Sequence, residues 1–298
     1  MSRTSSLVAL AMVLTALPAW ADRGSIPFKP GVRIFEPNQR AMIAWNGKEE
    51  ILVLSTDLKA SEPTKVLEVI PLPAEPKVSK GDVEVFRKAT ELINRKLAVP
   101  RMAKGRGRNA LGGAHGARRP AGEVTFHKKI GAHDISVTHV LDSRGFIAWV
   151  EAYLRKQGVD TPTIPEGLKT VVGEYLQDEF PWFVFDVVEL GEGPVTNDAI
   201  QYRFASDCIY YPLRITRTEE GDTAIRLLIL TPQLVSRFPG LPVRRVELAH
   251  QPVTITRQEL RELNEDMDAL LGRRPEMKLR IWNIHGRLSE FKQDLIAR

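Results

Sequence analysis

The stretch "FHKKIGAHDISVTHVLDSRGFIAWVEAYLRKQG", residues 126–158, decides the fold because it contains two different periodicities. Its first part is rich in β-branched residues, which predicts one or two strands within residues 124–141. Beyond them the apolar residues recur at helical spacing, so a helix is predicted to begin at Asp142 or Ser143 and to end at Gly158. A strand region is therefore followed directly by a helix.

Outward from this segment, elements of one type are grouped together. Alternating runs predict strands within residues 39–72, and Asp82 then caps a predicted helix. A second central helix follows Pro165, and four β-rich runs lie between residues 181 and 231. The remaining predicted elements are a strand near 244–250, an acidic-faced helix in 257–272, a strand near 277–284 and a closing helix from Gly286. We predict an α+β fold with antiparallel or mixed sheets, a central helix pair and C-terminal helices.

Residues 1–21 have the order of a secretory signal peptide. A positive residue precedes an apolar run over residues 7–20, and the small residues Ala19 and Ala21 come just before Asp22. The run is shorter than the roughly 20 residues that a membrane-spanning helix needs, so a cleaved signal is favoured over an anchor. We expect an exported protein, periplasmic or extracellular, with no transmembrane segment in its mature form.

Basic residues are concentrated in one segment. Eight Lys or Arg and no Asp or Glu lie between Arg95 and Ala121, whereas the whole chain has a formal net charge of +5. Residues 97–122 lack apolar periodicity and are predicted to be a flexible basic linker. It would separate a β-rich half with one helix, 22–96, from an α+β half, 123–298. Because the charge does not belong to a folded face, we expect no nucleic-acid partner, but weak contact of the linker with anionic surfaces.

Three of the six histidines, His127, His133 and His139, recur at intervals of six. On one straight strand six residues span about 20 Å, so the three cannot share an ion. A turn at Gly131 would bring His127 towards His133, and Asp134 could add a carboxylate. His127, His133 and Asp134 are therefore the candidate metal ligands. The alternative, which we favour, is that they are solvent-facing or locally hydrogen-bonded strand residues, with no tight zinc site and no cofactor.

Other catalytic patterns were not found in the sequence. It contains no zincin helix, no nucleophile elbow and no P-loop. Cys208 is the only cysteine, which excludes an intrachain disulfide. The adjacent Asp207 would raise the pKa of the thiol, so we interpret Cys208 as a structural residue rather than a nucleophile.

Three segments resemble parts of a known family. They are "QRAMIAWNGKEEILVLSTDLKASEPTKVLEVIPLPAEPKV" (39–78), "HKKIGAHDISVTHVLDSRGFIAWVEAYLRKQGVDTP" (127–162) and "RFASDCIYYPLRIT" (203–216). The first is similar to the early strand pair with a Pro-rich end, the second to the Gly-x-His-Asp strand with its helix, and the third to a later strand, of the bacterial exported family labelled domain of unknown function 2330. The resemblance spans most of the chain after residue 21. It implies an exported protein with no known activity, and no catalytic residue can be transferred from it.

These observations favour a non-enzymatic envelope or extracellular binding module, whose ligand the sequence does not identify. The alternative is a metal-dependent enzyme that uses the segment around His127 and His133. A third hypothesis is an assembly component whose basic linker contacts anionic polymer or lipid head groups. The sequence leaves open whether the two halves share one core.

Overall fold

The computed structural model describes residues 24–98, 124–191, 195–196, 198–219, 222–235, 238, 245–272, 274 and 276–298. The predicted signal peptide, with Ala19, Ala21 and Asp22 at its cleavage site, lies outside these residues. The predicted linker also lies outside them from residue 99 onward. Its first two residues, Leu97 and Ala98, are the last residues of a helix.

Strands predominate over helices. The strands are β1 (Gly24–Pro27), β2 (Ile34–Trp45), β3 (Glu49–Ala60), β4 (Thr64–Leu72), β5 (Lys77–Lys80), β6 (Val124–Ile130), β7 (His133–His139), β8 (Trp182–Leu190), β9 (Val195–Thr196), β10 (Ile200–Ala205), β11 (Ile209–Tyr211), β12 (Asp222–Thr231), β13 (Val246–Leu248), β14 (Val253–Thr256), β15 (Glu276–Arg287) and β16 (Leu295–Ala297). The helices are α1 (Glu84–Ala98), α2 (Ser143–Lys156), α3 (Glu166–Gln177), α4 (Arg257–Leu263) and α5 (Glu265–Leu271), with 3-10 helices at Arg214–Thr218 and Leu288–Glu290.

The strands form two large sheets and one small one. The five-stranded sheet has the order β1-β4-β8-β7-β6, and all its neighbours are antiparallel. The nine-stranded sheet has the order β13-β15-β12-β2-β3-β10-β5, with β14 also on β15 and β9 also on β3. It is mixed, because β2 and β12 pair in parallel. Strands β11 and β16 form the small sheet. Both large sheets take strands from each side of residues 99–123, so the two predicted halves share one core.

The two large sheets pack face to face between two layers of helices. Their inner faces form one buried cluster, to which Ile70 and Val184 contribute from the five-stranded sheet and Ile43 and Leu227 from the nine-stranded one. Helices α2 and α3 cover the outer face of the five-stranded sheet. Helices α1, α4 and α5 cover part of the outer face of the nine-stranded sheet. Each fully buried large apolar side chain stabilises such a core by about 1.5–3 kcal/mol.

The α+β class predicted from the sequence is confirmed, and the central helix pair lies where it was predicted. Asp142 is the N-cap of α2, and its carboxylate accepts a hydrogen bond from the Gly145 N–H at 2.7 Å. The predicted acidic-faced helix is two helices, because Asn264 between them is extended and its side-chain oxygen caps α5 by accepting from the Met267 N–H at 2.9 Å.

The predicted closing helix from Gly286 is wrong. Strand β15 continues to Arg287 and pairs with β12 at all ten positions of that strand. It is followed by one short 3-10 helix and by β16. Residues 286–287 pair with β12 and residues 295–297 pair with β11, and these long-range pairings override the local helical pattern.

Candidate functional site

The β6–β7 hairpin carries the candidate metal ligands, and its register separates them. Ile130 lies opposite His133, and His127 lies opposite Ser136. Opposed residues share a face and successive residues alternate, so His127 and His133 project from opposite faces of the sheet. The turn at Gly131 does fold the chain back, but it does not bring the two imidazoles to a common ion. In the part of the chain that the structure describes, no three His, Cys, Asp or Glu side chains group as a metal site.

His133 is buried between the two large sheets and bonded on both ring nitrogens. Its Nδ1 lies 2.6 Å from Asp186 Oδ2, and its Nε2 lies 3.1 Å from the carbonyl oxygen of Asp198. A carbonyl oxygen only accepts, so Nε2 donates its hydrogen, and a second hydrogen lies between Nδ1 and the Asp186 carboxyl group. Asp198 stands just before β10 in the nine-stranded sheet. His133 therefore links the two sheets.

Gly131 also contributes to the contact between the β6–β7 hairpin and Asp198. Its φ is +58°, in the left-handed region that favours glycine. A Cβ atom at this position would lie 2.1 Å from Asp198 Oδ2. The Asp198 carboxylate is held there by Lys80 Nζ at 3.1 Å. Gly131 and His133 thus fix the β6–β7 hairpin to the chain that leads into β10. We call Gly131, His133 and Asp198 the hairpin clamp.

On the opposite face, His127, Ser136 and Asp134 form a second group. Ser136 Oγ lies 2.9 Å from His127 Nδ1, and His127 Nε2 lies 3.5 Å from Asp134 Oδ1. The order is that of a Ser-His-Asp triad, but Ser136 is buried in a strand paired on both sides. The backbone N–H groups of this strand donate hydrogen bonds to the neighbouring strands, so they do not form an oxyanion hole. Burial, and then the charge of Asp134, raises the pKa of nearby Tyr153 to about 12, so this phenol keeps its proton at neutral pH.

His139 and Cys208 occupy structural positions. The His139 ring packs against Trp182 in a tilted arrangement, with 4.6 Å between the ring centroids and 37° between the ring planes. Cys208 is buried, and burial raises the pKa of its thiol, with the charge of Asp207 acting in the same direction. A thiol that stays protonated is a poor nucleophile, as the sequence led us to expect.

The outer face of the nine-stranded sheet carries a groove that the sequence did not reveal. The parallel register of β2 and β12 places Arg40 directly opposite Arg226, on the face that points away from the inner core. A groove of about 510 Å³ surrounds them and is also lined by Asp57, Asn283 and His285. We call it the Arg40–Arg226 groove. A second hollow of about 240 Å³, which shares both arginines, extends towards α1.

The charges in the Arg40–Arg226 groove are unbalanced. Arg40 Nη2 lies 3.5 Å from Asp57 Oδ1, and its guanidinium lies 5.7 Å from the centroid of the Phe86 ring. The Nε of Arg40 is buried and has no hydrogen-bond partner among the described residues. Arg226 is exposed and forms no ion pair with any described residue. Among the described residues that line the groove, one carboxylate, that of Asp57, thus faces two guanidinium groups, and like charges opposed on neighbouring strands are destabilising.

Sequence patterns did not point to either arginine. The two residues are 186 positions apart, and only the parallel pairing of β2 with β12 brings them together. The one available signal was the position of Arg226 among apolar residues in the predicted strand 224–231, which indicates a solvent-facing side chain but no partner.

Comparison with known proteins identifies the family of the chain. The model of a family described as "Uncharacterized protein conserved in bacteria (DUF2330)" matches residues 18–281. The chain belongs to this family, which confirms the resemblance found in the three sequence segments. A search of curated proteins finds no match.

Solved structures show distant similarity. The crystal structure of baculovirus P35 is 10% identical, with 92% of this chain and 99% of that chain covered and a TM-score of 0.44. The crystal structure of the caspase-8/P35 complex contains a chain that is 8% identical, with 88% of this chain and 96% of that chain covered and a TM-score of 0.42. Similarity at this level carries no inference about function. Among the described residues, no helix is long and apolar enough to cross a membrane.

Proposed function

We propose that the protein is an exported, non-enzymatic binding module of the bacterial envelope or extracellular space that holds an anionic ligand in the Arg40–Arg226 groove. The family is bacterial. Export rests on the signal-peptide pattern of residues 1–21. The observation that carries the ligand proposal is the direct opposition of two guanidinium groups, with one carboxylate among the described residues that line the groove.

An oxyanion would relieve this imbalance. Neighbouring strands lie about 4.8 Å apart, so one carboxylate or phosphate group can reach both guanidinium groups. Each guanidinium presents paired donors that match such an anion, and each hydrogen bond to a charged group contributes about 1.5–3 kcal/mol. The exposed His285 and the half-buried Asn283 offer further donors at the side of the groove.

The alternative is a metal-dependent enzyme that uses the segment around His127 and His133. It would require both imidazoles at one ion, and their positions on opposite faces give it no support. Weak contact of residues 97–122 with anionic surfaces is a separate proposal, which rests on their charge alone.

Calorimetric titration at low ionic strength would test the groove. The probes are pyrophosphate and citrate, which separate a preference for phosphate from a preference for carboxylate. We expect Arg226→Gln to weaken binding of the preferred anion about 10- to 100-fold, the equivalent of one or two charge-assisted bonds. The matched control is Arg87→Gln. Arg87 lines the adjoining hollow but is already paired with Glu84 at 2.6 Å and Glu91 at 2.7 Å, so its replacement should leave the affinity unchanged.

Two results would contradict the proposal. One is failure of both anions to bind the wild-type protein. The other is an equal loss of affinity in Arg87→Gln and Arg226→Gln, which would indicate attraction by overall charge rather than by the groove. Binding in the groove should also weaken as salt is added, because the arginines are accessible to solvent ions.

A further inference from the structure

A second concave site, separate from the Arg40–Arg226 groove, lies where β2 and β12 end. It is a cavity of about 170 Å³ with Trp45, Leu234 and Val235 among its apolar lining and Thr231 and Gln233 among its polar lining. We call it the Trp45 cavity. The Trp45 ring is held in place because its Nε1–H donates to the carbonyl oxygen of Ser206 at 3.0 Å.

A fully buried arginine stands behind the wall of this cavity. Arg280 is 0% exposed, and its Nη2 donates to Thr231 Oγ1 at 3.0 Å and to the carbonyl oxygen of Gln233 at 3.4 Å. Its Nε and Nη1 have no hydrogen-bond partner, and no carboxylate pairs with it among the described residues. Burial lowers the pKa of Arg280 to about 10, which still leaves the group charged at neutral pH.

Basic side chains line the cavity itself. They are Arg274 and Arg298, whereas no acidic side chain lines it among the described residues. Arg298 is paired with Asp207 at 2.9 Å, and both of these side chains are exposed. A buried cation without a counterion is costly, and buried donors without acceptors are rare in folded proteins. An anion that reaches Arg280 from the cavity would supply the missing charge and one of the missing acceptors.

The size of the cavity limits the ligand. Cavities of about 150 Å³ accommodate benzene, so this one has room for a single ring or a branched alkyl group. We infer that the Trp45 cavity binds a small organic carboxylate with one such apolar group. The apolar part packs against Trp45 and Leu234. One carboxylate oxygen takes the place of the Gln233 carbonyl oxygen, which accepts hydrogen bonds from both Arg280 Nη2 and the Thr231 hydroxyl group, and the other oxygen accepts from Arg280 Nη1.

A matched ligand pair tests this inference on the unmodified protein. Phenylacetate and phenylacetamide have the same shape and differ in charge, and titration can be followed by Trp fluorescence and by calorimetry. We expect phenylacetate to bind with a Kd on the order of 0.1–1 mM, as is usual for a ligand of ten non-hydrogen atoms, and phenylacetamide to bind at least 10-fold more weakly. Equal affinities for the two ligands, or no saturable binding of phenylacetate, would overturn the inference.

Arginine variants then test whether Arg280 binds the carboxylate of the ligand. In Arg280→Met the affinity for phenylacetate should fall to that of phenylacetamide, and an unchanged affinity would contradict the assignment. The exposed Arg274 provides a second variant that does not disturb the core. Arg274→Gln should weaken phenylacetate binding 2- to 5-fold and leave phenylacetamide binding unchanged. The control Arg226→Gln should alter neither, and excess pyrophosphate should not displace phenylacetate, which separates this site from the groove.

Discussion

Because of the hairpin clamp, an added methyl group at Gly131 should lower the free energy of unfolding for two separable reasons. Alanine in the left-handed region costs about 1–2 kcal/mol through backbone strain alone. The new Cβ would also lie 2.1 Å from Asp198 Oδ2, so something must move. If the carboxylate rotates away, the protein loses the exposed Lys80–Asp198 pair, which is worth about 0–1 kcal/mol. If the hairpin shifts instead, the hydrogen bond from His133 to the Asp198 carbonyl group is lost, at about 0.5–1.5 kcal/mol.

We therefore expect Gly131→Ala to destabilise the protein by about 2–3 kcal/mol, measured by urea unfolding. Asp198→Ala removes the clashing atoms but keeps the carbonyl oxygen that His133 needs. In that background the cost of Gly131→Ala should fall to about 1–2 kcal/mol, the strain alone. The matched control is Gly158→Ala, because Gly158 also has a positive φ, +90°, but a Cβ there would meet nothing within 4 Å.

The double-mutant cycle decides whether the clamp exists. We expect a coupling of about 1 kcal/mol between Gly131→Ala and Asp198→Ala, and none between Gly158→Ala and Asp198→Ala. Additive effects of the first pair, within about 0.3–0.5 kcal/mol, would refute the clamp, because independent sites behave in that way.

Three further predictions concern pH, proteolysis and export. Burial raises the pKa of Glu219 from 4.5 to about 7, so wild-type stability should fall as the pH rises through this window, and Glu219→Gln should remove the part of the fall that Glu219 contributes. We expect the variant to be about 1–2 kcal/mol more stable than wild type at pH 8 and equally stable at pH 4. This is less than the free energy that corresponds to the full pKa shift, because the side chain is partly exposed to solvent. Identical pH profiles of stability for wild type and variant would contradict this prediction. Trypsin should cut first between Arg95 and Arg119. Because both large sheets contain strands from before and after this segment, the two fragments should co-elute in size-exclusion chromatography and separate only in denaturant. N-terminal sequencing of the protein recovered from bacteria should begin at Asp22, and a sequence that begins at Met1 would rule out the predicted cleavage.

Local signals predicted local structure well. Asp142 with the apolar stripe after it marked a helix start, and the structure shows the cap. The segment from Gly131 to Asp134 was recognised as part of a family pattern, and the family is confirmed. Each of these features depends on residues close together in the sequence.

Long-range pairing could not be predicted from the same signals. The two-residue turn sets Ile130 opposite His133, and this alone determines that His127 points to the other face. The parallel pairing that opposes Arg40 and Arg226 joins residues from the two predicted halves, and no local pattern encodes it. The closing helix failed for a similar reason, because its first two residues pair with β12 and residues 295–297 pair with β11.

The proposal that Arg40 and Arg226 hold an anion is tested most directly at the guanidinium groups themselves. In protein with ¹⁵N-labelled arginine, the Nε–H resonances of these residues can be followed by NMR while citrate or pyrophosphate is added. We predict saturable shifts of the Arg40 and Arg226 resonances with a common Kd, whereas the resonance of Arg87, which is already paired with two glutamates, stays in place. An unshifted Arg226 resonance at saturating anion, or equal shifts at all three arginines, would contradict the account.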